Sequence, residues 1–211
     1  ENVCKGSDEN ENILKNKSFV VFELTGVQDD SFLTSVVLSI LNDTVNEKIL
    51  SDRSKRAYLC FDEFAKTQEL KNEYSGDDIM SVVAHSCQTI RKENGAVILI
   101  YQSPDQMPDN HYSKNILANM QLLGVLQATE LVYESIIDIM KIKDTGHISQ
   151  MKSIKNDFTT GRPHSEIFLR FNENYATVVK LEFSKEKLKA FQTEGAQWKN
   201  LQEEYLKTND F

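Results

Sequence analysis

The sequence predicts an α/β fold built on a mainly parallel sheet with helices on both faces, and three observations carry that reading. Apolar runs at residues 18–25, 58–61 and 96–101 have the length of strands and are too short for helices. Amphipathic stretches separate them, so strand, helix, strand, helix, strand succeed one another, the signature of right-handed crossovers between parallel strands. The run Tyr58-Leu59-Cys60-Phe61 is uninterrupted, as in a strand buried on both faces, and it ends in two adjacent carboxylates, Asp62 and Glu63. Open α/β sheets bind ligands at the carboxyl edge of their strands. The acid pair is therefore either a Mg²⁺-holding edge or a solvated acidic loop at a strand end.

At 211 residues the chain can form one domain with a full core and an appended subdomain. The expected layout is a loose polar lead-in at 1–17, a core at 18–183 and a closing helix at 184–211. The net charge of −8 argues against nonspecific binding of nucleic acid or anionic membrane by the surface as a whole. Three cysteines, Cys4, Cys60 and Cys87, without CxxC spacing suggest a reducing compartment, with Cys60 expected as a small buried core residue. No apolar run is long enough to span a bilayer and no signal peptide is visible. The chain does not begin with Met, which suggests processing or excision from something longer.

Each element has its own signal. Residues 18–25 are rich in β-branched and aromatic residues and stop at Gly26. Asp29, Asp30 and Ser31 offer N-caps for a helix whose apolar stripe is Phe32, Leu33, Val36, Val37, Ile40, Leu41 and Val45. A basic turn, Arg53-Ser54-Lys55-Arg56, precedes the acid-tipped strand, and a charged loop at 69–78 comes after it. A helix expected from Asp77 to about Lys92 buries Ile79, Val83, Cys87 and Ile90, and Asn94-Gly95 stops it. The third strand ends at Gln102-Ser103. Pro104 and Pro108 mark a loop carrying Asp105, Asp109 and His111. Residues 120–126 read as a fourth strand, with a helix as the alternative. Short helices are expected at 131–141 and 149–156, broken at Gly146. Residues 166–171 and 175–183 alternate around Asn172-Glu173-Asn174, which predicts a hairpin.

A strand ending in Asp-Glu suits nucleotide hydrolysis. Mg²⁺ prefers oxygen ligands and keeps much of its water, so an aspartate can hold it through that shell. A neighbouring glutamate can orient and deprotonate the attacking water. Gln102, at the end of the next strand, can reach the same water. Arg91 at the end of the intervening helix could meet a phosphate across a subunit boundary, while a cation at a helix C-terminus is also favoured by the dipole alone. Arg162, in the loop before the hairpin, is a second such candidate. His85, His111, His147 and His164 show no metal-ligand spacing. Ser103 lacks the Gly-x-Ser-x-Gly setting of a hydrolase nucleophile.

These segments form an ordered set: Phe19-Val20-Val21-Phe22-Glu23-Leu24, then Tyr58-Leu59-Cys60-Phe61-Asp62-Glu63, then Thr89-Ile90-Arg91-Lys92-Glu93-Asn94-Gly95, then Val97-Ile98-Leu99-Ile100-Tyr101-Gln102-Ser103. With the segment from Asn119 through Gln127, the set resembles the C-terminal ATPase domain of the conjugative-transfer ATPases of the TraC and TrbE kind, which power type IV secretion. The resemblance covers roughly residues 18–185. It implies a RecA-like fold, binding of ATP and Mg²⁺, ATP hydrolysis, a homo-hexamer, and work beside other secretion components at the inner face of a bacterial cytoplasmic membrane, on DNA or protein substrates. Residue by residue, it implies Asp62 as the Mg²⁺-directing Walker B acid, Glu63 as catalytic base, Gln102 as polar sensor and Arg91 as the trans contact.

The family's phosphate-cradling loop, Gly-x-x-x-x-Gly-Lys-Ser/Thr, is absent, because none of the eight glycines is followed by lysine. The third strand also ends Tyr101-Gln102 where Thr-Gln is expected. Two explanations compete: the chain is the half of the domain after the P-loop helix, which its non-Met start favours, or it is a non-hydrolysing relative. A scaffold or adaptor of the secretion machine, and an FtsK/HerA-like DNA-translocating motor, are the alternative functions.

Overall fold

The computed structural model describes residues 18–24, 26, 30–45, 54–68, 79–159, 163–182 and 184. The expected lead-in at 1–17, the loop at 69–78, Arg162 and the closing helix beyond Ser184 lie outside the described residues. The chain divides into two compact units, Glu1–Met120 and Gln121–Phe211.

The first unit holds α1 (Ser31–Val45), β1 (Ala57–Phe61), the one-turn helix α2 (Phe64–Thr67), α3 (Ile79–Thr89), β2 (Gly95–Leu99) and α4 (His111–Asn119). The Asp30 carboxylate accepts the Leu33 N–H at 3.0 Å, so the expected cap starts α1. Its inward face is rotated from the expected stripe: Thr34, Ser35, Leu41, Thr44 and Val45 are buried while Phe32 and Ile40 are exposed. The Thr44 hydroxyl bonds back to the Ile40 carbonyl at 2.7 Å, which lets a polar residue occupy that face. Helix α3 tightens into a 3-10 turn, Ile90–Glu93, and ends with Asn94 in the left-handed region at φ 57°. Asn94 thus takes the backbone role often given to glycine, and Gly95 already belongs to β2.

Strands β1 and β2 pair in parallel, Ala57 opposite Gly95 through Phe61 opposite Leu99. Both strands therefore deliver their carboxyl ends to the same edge. Two expectations fail here. Residues 18–24 pair with no strand among the described residues, although their exposure alternates. Their β-branched and aromatic content favours extended backbone, but a strand also requires a ladder partner. Strand β1 is not buried on both faces: Leu59 and Phe61 face the core, whereas Tyr58 is 64% exposed and Cys60 is exposed. A continuous apolar run does not by itself distinguish one covered face from two.

The core of this unit gathers Leu41, Phe61, Phe64, Ile79, Val83 and Ile116, with Val97, Leu99 and Tyr101 packed against it. Phe64 is fully buried, stacked at a tilt against Phe61 and edge-on to Tyr101, with ring centroids 5.2 and 5.7 Å apart. Helix α4 occupies residues read from sequence as loop and connection. The Asn110 side chain caps it, accepting the Ser113 N–H at 2.9 Å, and Ile116 anchors it in the core.

The second unit contains β3 (Leu122–Leu126), α5 (Glu130–Ile139), α6 (Thr145–Lys152), β4 (Asn156–Asp157), β5 (His164–Phe171) and β6 (Tyr175–Glu182). The strand expected at 120–126 exists, but it does not extend a parallel sheet: β3 runs antiparallel to β5, which also pairs antiparallel with β4 and β6. Among the described residues the fold is thus α/β with one parallel pair and one antiparallel sheet, where a mainly parallel sheet was expected. An apolar strand reads the same in either kind of sheet, and only its partner decides. The hairpin turns at 172–174 as expected, with Asn172 at φ 52°. Gly146 does not break a helix; it lies in the first turn of α6, which Asp144 caps by accepting the His147 N–H at 2.9 Å. The interruption falls earlier, at Lys141 with φ 48°. Val125, Tyr133, Ile136, Met151 and Phe168 form the core of this unit. Gln127 accepts the Asn156 N–H at 3.0 Å and so ties β4 to the end of β3.

Candidate functional site: a carboxylate edge on the parallel pair

The register of β1 and β2 sets the residues just after Phe61 beside those just after Leu99. The Ile100 N–H donates to the Phe61 carbonyl at 3.0 Å, and the Phe64 N–H donates to the Ile100 carbonyl at 3.0 Å. These two bonds carry the pairing one step past the strands and fix Asp62 and Glu63 against Tyr101 and Gln102. Phe64, anchored in the core, pins the start of α2 from below.

Glu63 caps α2 in the left-handed region, at φ 48° and ψ 48°. This conformation is unfavourable for a residue with a β-carbon and needs support from its surroundings. The support is visible on both sides of the turn. The Glu63 N–H donates to the Asp62 Oδ1 at 3.0 Å, and the Lys66 N–H donates to the Glu63 carbonyl at 2.9 Å. Glu63 is held away from the extended course of the strand, and its carboxylate stays at the surface.

The Gln102 side chain reaches it there. Gln102 Nε2 donates to Glu63 Oε1 at 2.9 Å. The other carboxylate oxygen, Oε2, forms an ion pair with the Lys66 ammonium. The bond and charge of Lys66, more than the Gln102 amide, hold the Glu63 carboxyl below its usual range, and Glu63 in turn raises the Lys66 ammonium. The carboxylate is therefore ionised at neutral pH, the state a general base requires.

A second set of contacts supports the same corner. Gln68 Nε2 donates to the Gln106 carbonyl at 2.6 Å, and the Tyr101 hydroxyl approaches Gln68 Oε1 at 3.5 Å. The loop after Gln102 is a 3-10 turn, Pro104–Gln106, closed by a capping box between Ser103 and Gln106. Both turns that carry site residues are thus joined by side chains as well as backbone. Burial raises the Tyr101 phenol, which keeps it a neutral donor.

The sequence reading places Asp62, Glu63 and Gln102 at one edge, and the structure brings them together. Arg91 is elsewhere. It lies exposed on the 3-10 turn that leads into β2, so it sits at the amino edge of the pair. A five-residue strand separates the two edges, about 16 Å at strand rise. Within one chain Arg91 does not face Glu63. Lys66 and Gln68 were not singled out from sequence, and Tyr101 only as a departure from the expected Thr-Gln, although the i, i+3 spacing of Glu63 and Lys66 is the usual signal for a same-face ion pair on a helical turn.

Among the described residues no group of three or more His, Cys, Asp or Glu could hold a metal by itself. A single strand-end carboxylate such as Asp62 suits Mg²⁺, which binds through one or two carboxylates, retains waters and takes its remaining oxygens from phosphate.

Comparison with known proteins agrees with this architecture. The family model for the TraG P-loop domain matches residues 5–211. The solved structure of VirB4 of Thermoanaerobacter pseudethanolicus is similar, with a TM-score of 0.53 at 16% identity over 81% of this chain. That alignment covers 43% of the VirB4 chain, so the present sequence spans less than half of its length. A search of the curated proteins found no match. At this identity the VirB4 likeness concerns the fold, and the family match is the stronger statement. The chain belongs to the TraG P-loop domain family.

Proposed function

We propose that this chain carries the Walker B side of a RecA-like ATPase domain in a type IV secretion or conjugation motor. The observation that carries the reading is the hydrogen bond between Gln102 and Glu63 at the carboxyl edge of the parallel pair. Membership of a P-loop domain family supplies the context. In this reading Asp62 holds Mg²⁺ through the metal's water shell, Glu63 orients and deprotonates the attacking water, and Gln102 keeps Glu63 aligned with the nucleotide. Bound Mg²⁺ and ATP supply the electrophilic phosphoryl group. Arg91, remote from Glu63 within its own chain, serves the neighbouring subunit of a homo-hexamer. Such a motor works at the inner face of a bacterial cytoplasmic membrane, with other secretion components, on DNA or protein substrates. No described helix is long and apolar enough to cross a membrane.

The sequence contains no Gly-x-x-x-x-Gly-Lys-Ser/Thr, an observation that also favours a second reading, a non-hydrolysing scaffold of the same machine. One experiment separates them. In a polypeptide that joins this domain to a phosphate-binding loop, Glu63→Gln is expected to lower ATP turnover by about 10²- to 10⁴-fold, the contribution of a positioned general base, while nucleotide binding persists. Retained turnover would exclude Glu63 as the base, and absence of turnover in the parent polypeptide would favour the scaffold.

A further inference from the structure

Glu63 projects from a turn rather than from a regular element, and its side chain remains 42% exposed. Among the described residues, two side chains hold its carboxylate: Gln102 on Oε1 and Lys66 on Oε2. Gln102 is itself exposed and belongs to a different loop, so its single bond leaves the carboxylate free to turn about that contact. Lys66 lies one helical turn on from Glu63, and its ammonium also stands in the field of Asp62 and Glu23. It can therefore restrain the second oxygen.

We infer that Lys66 is a positioning residue for Glu63: its ion pair fixes the rotation of the carboxylate so that Oε1 stays on the Gln102 amide. The inference rests on the reading of Glu63 as catalytic base for its consequence in turnover, but the coupling itself is a property of this chain alone. Lys66 touches neither the reacting water nor the metal in this scheme. Removing it leaves Glu63 in place while loosening its aim. An exposed ion pair is weak, so the effect on rate is small, about 2- to 5-fold, and it falls on the maximal rate rather than on nucleotide affinity.

The test has two arms. In the first, the side-chain amide resonances of Gln102 are followed by ¹⁵N-edited NMR in this chain, with Glu63→Leu as the reference for a lost contact. Lys66→Met is expected to move those resonances part of the way to the Glu63→Leu position, and Lys66→Arg to restore them. Resonances unchanged by Lys66→Met would show that Gln102 suffices and would overturn the inference. In the second arm, in a polypeptide that joins the domain to a phosphate-binding loop, Lys66→Met should lower kcat about 2- to 5-fold at constant KM, with rescue by Lys66→Arg. A raised kcat would mean that Lys66 restrains Glu63 in an unproductive position, and the inference would fail. If the amide resonances respond while Glu63→Gln leaves turnover intact, the positioning stands and the assignment of Glu63 as base falls.

Discussion

The two ends of the β1–β2 pair are built from the same strands and differ in almost everything else. At the carboxyl end, Asp62, Glu63, Lys66, Gln68, Gln102 and Gln106 are joined by hydrogen bonds and an ion pair across two turns. At the amino end, Arg56, Arg91 and Lys92 stand exposed on the segments that lead into the strands. Parallel pairing is what sorts them, because every residue that comes after a strand goes to one edge and every residue that precedes it goes to the other. Packing reinforces the asymmetry: Phe64 is fully buried immediately after Glu63, so the carboxyl edge is tied to the core. The lesson is that a site needs a rigid base beneath it as well as the right side chains.

The comparison breaks most severely if its base is removed. Phe64→Ala deletes a fully buried ring and is expected to destabilise the first unit by about 3–5 kcal/mol, read as a lower urea midpoint with loss of the Gln102 amide signature. A change at Tyr58, on the uncovered face of β1, should cost far less in the same measurement.

Next in size is Gln102→Leu, which removes the amide from Glu63 while preserving volume. It is expected to lower turnover by about tenfold, the scale of a hydrogen bond to a charged group, with unchanged stability. Equal losses from Gln102→Leu and from an amino-edge change assayed in the same chain would erase the distinction between the edges. Arg91→Ala sharpens the point. Mixed with Glu63→Gln subunits, Arg91→Ala subunits should recover turnover, because their intact Glu63 would meet the neighbour's intact Arg91, whereas no recovery would contradict a role across the subunit boundary.

In the second unit, Arg170 is buried in β5, its Nε has no hydrogen-bond partner among the described residues, and its charge acts on the exposed Asp144 carboxylate. Burying a charge without full pairing is costly, so Arg170→Met should change stability by less than about 1 kcal/mol or increase it. Phe168→Ala on the same strand should cost about 3–5 kcal/mol. A large loss from Arg170→Met would show that the charge is structural.

The smallest effect is chemical. Burial pushes the Cys87 thiol up to about 11, so the thiolate is scarce at pH 8 and appears only as pH approaches that value. Peptide mapping after brief alkylation at pH 8 should find Cys60, which is exposed, modified and Cys87 spared. Equal labelling would show that the α3 face opens in the native state.

Much of the site was legible in the sequence because parallel register converts chain order into spatial position. Asp62-Glu63 and Gln102 both come after short strands separated by a helix, and their meeting is a consequence of that order. The features that stayed hidden depend on partners. The run at 18–25 has strand composition but no ladder among the described residues, and residues 122–126 join an antiparallel sheet whose pattern does not differ from a parallel one. Helix α4 went unread because two prolines lead into it and only Asn110 announces it. Lys66 was overlooked because a lysine three residues after a glutamate is ordinary on any helix, and its meaning comes from the Glu63 turn at positive φ.

The central claim is that nucleotide meets this domain at the carboxyl edge of the parallel pair. It is tested most directly by adding Mn²⁺ with ATP to the isotope-labelled chain and mapping paramagnetic broadening of backbone amides, which detects even weak binding. The account predicts broadening at Asp62, Glu63, Gln102 and Ser103, with Arg91 and Lys92 of the same chain spared. Broadening centred on the amino edge, or none at Asp62 and Glu63 while other residues respond, would contradict it.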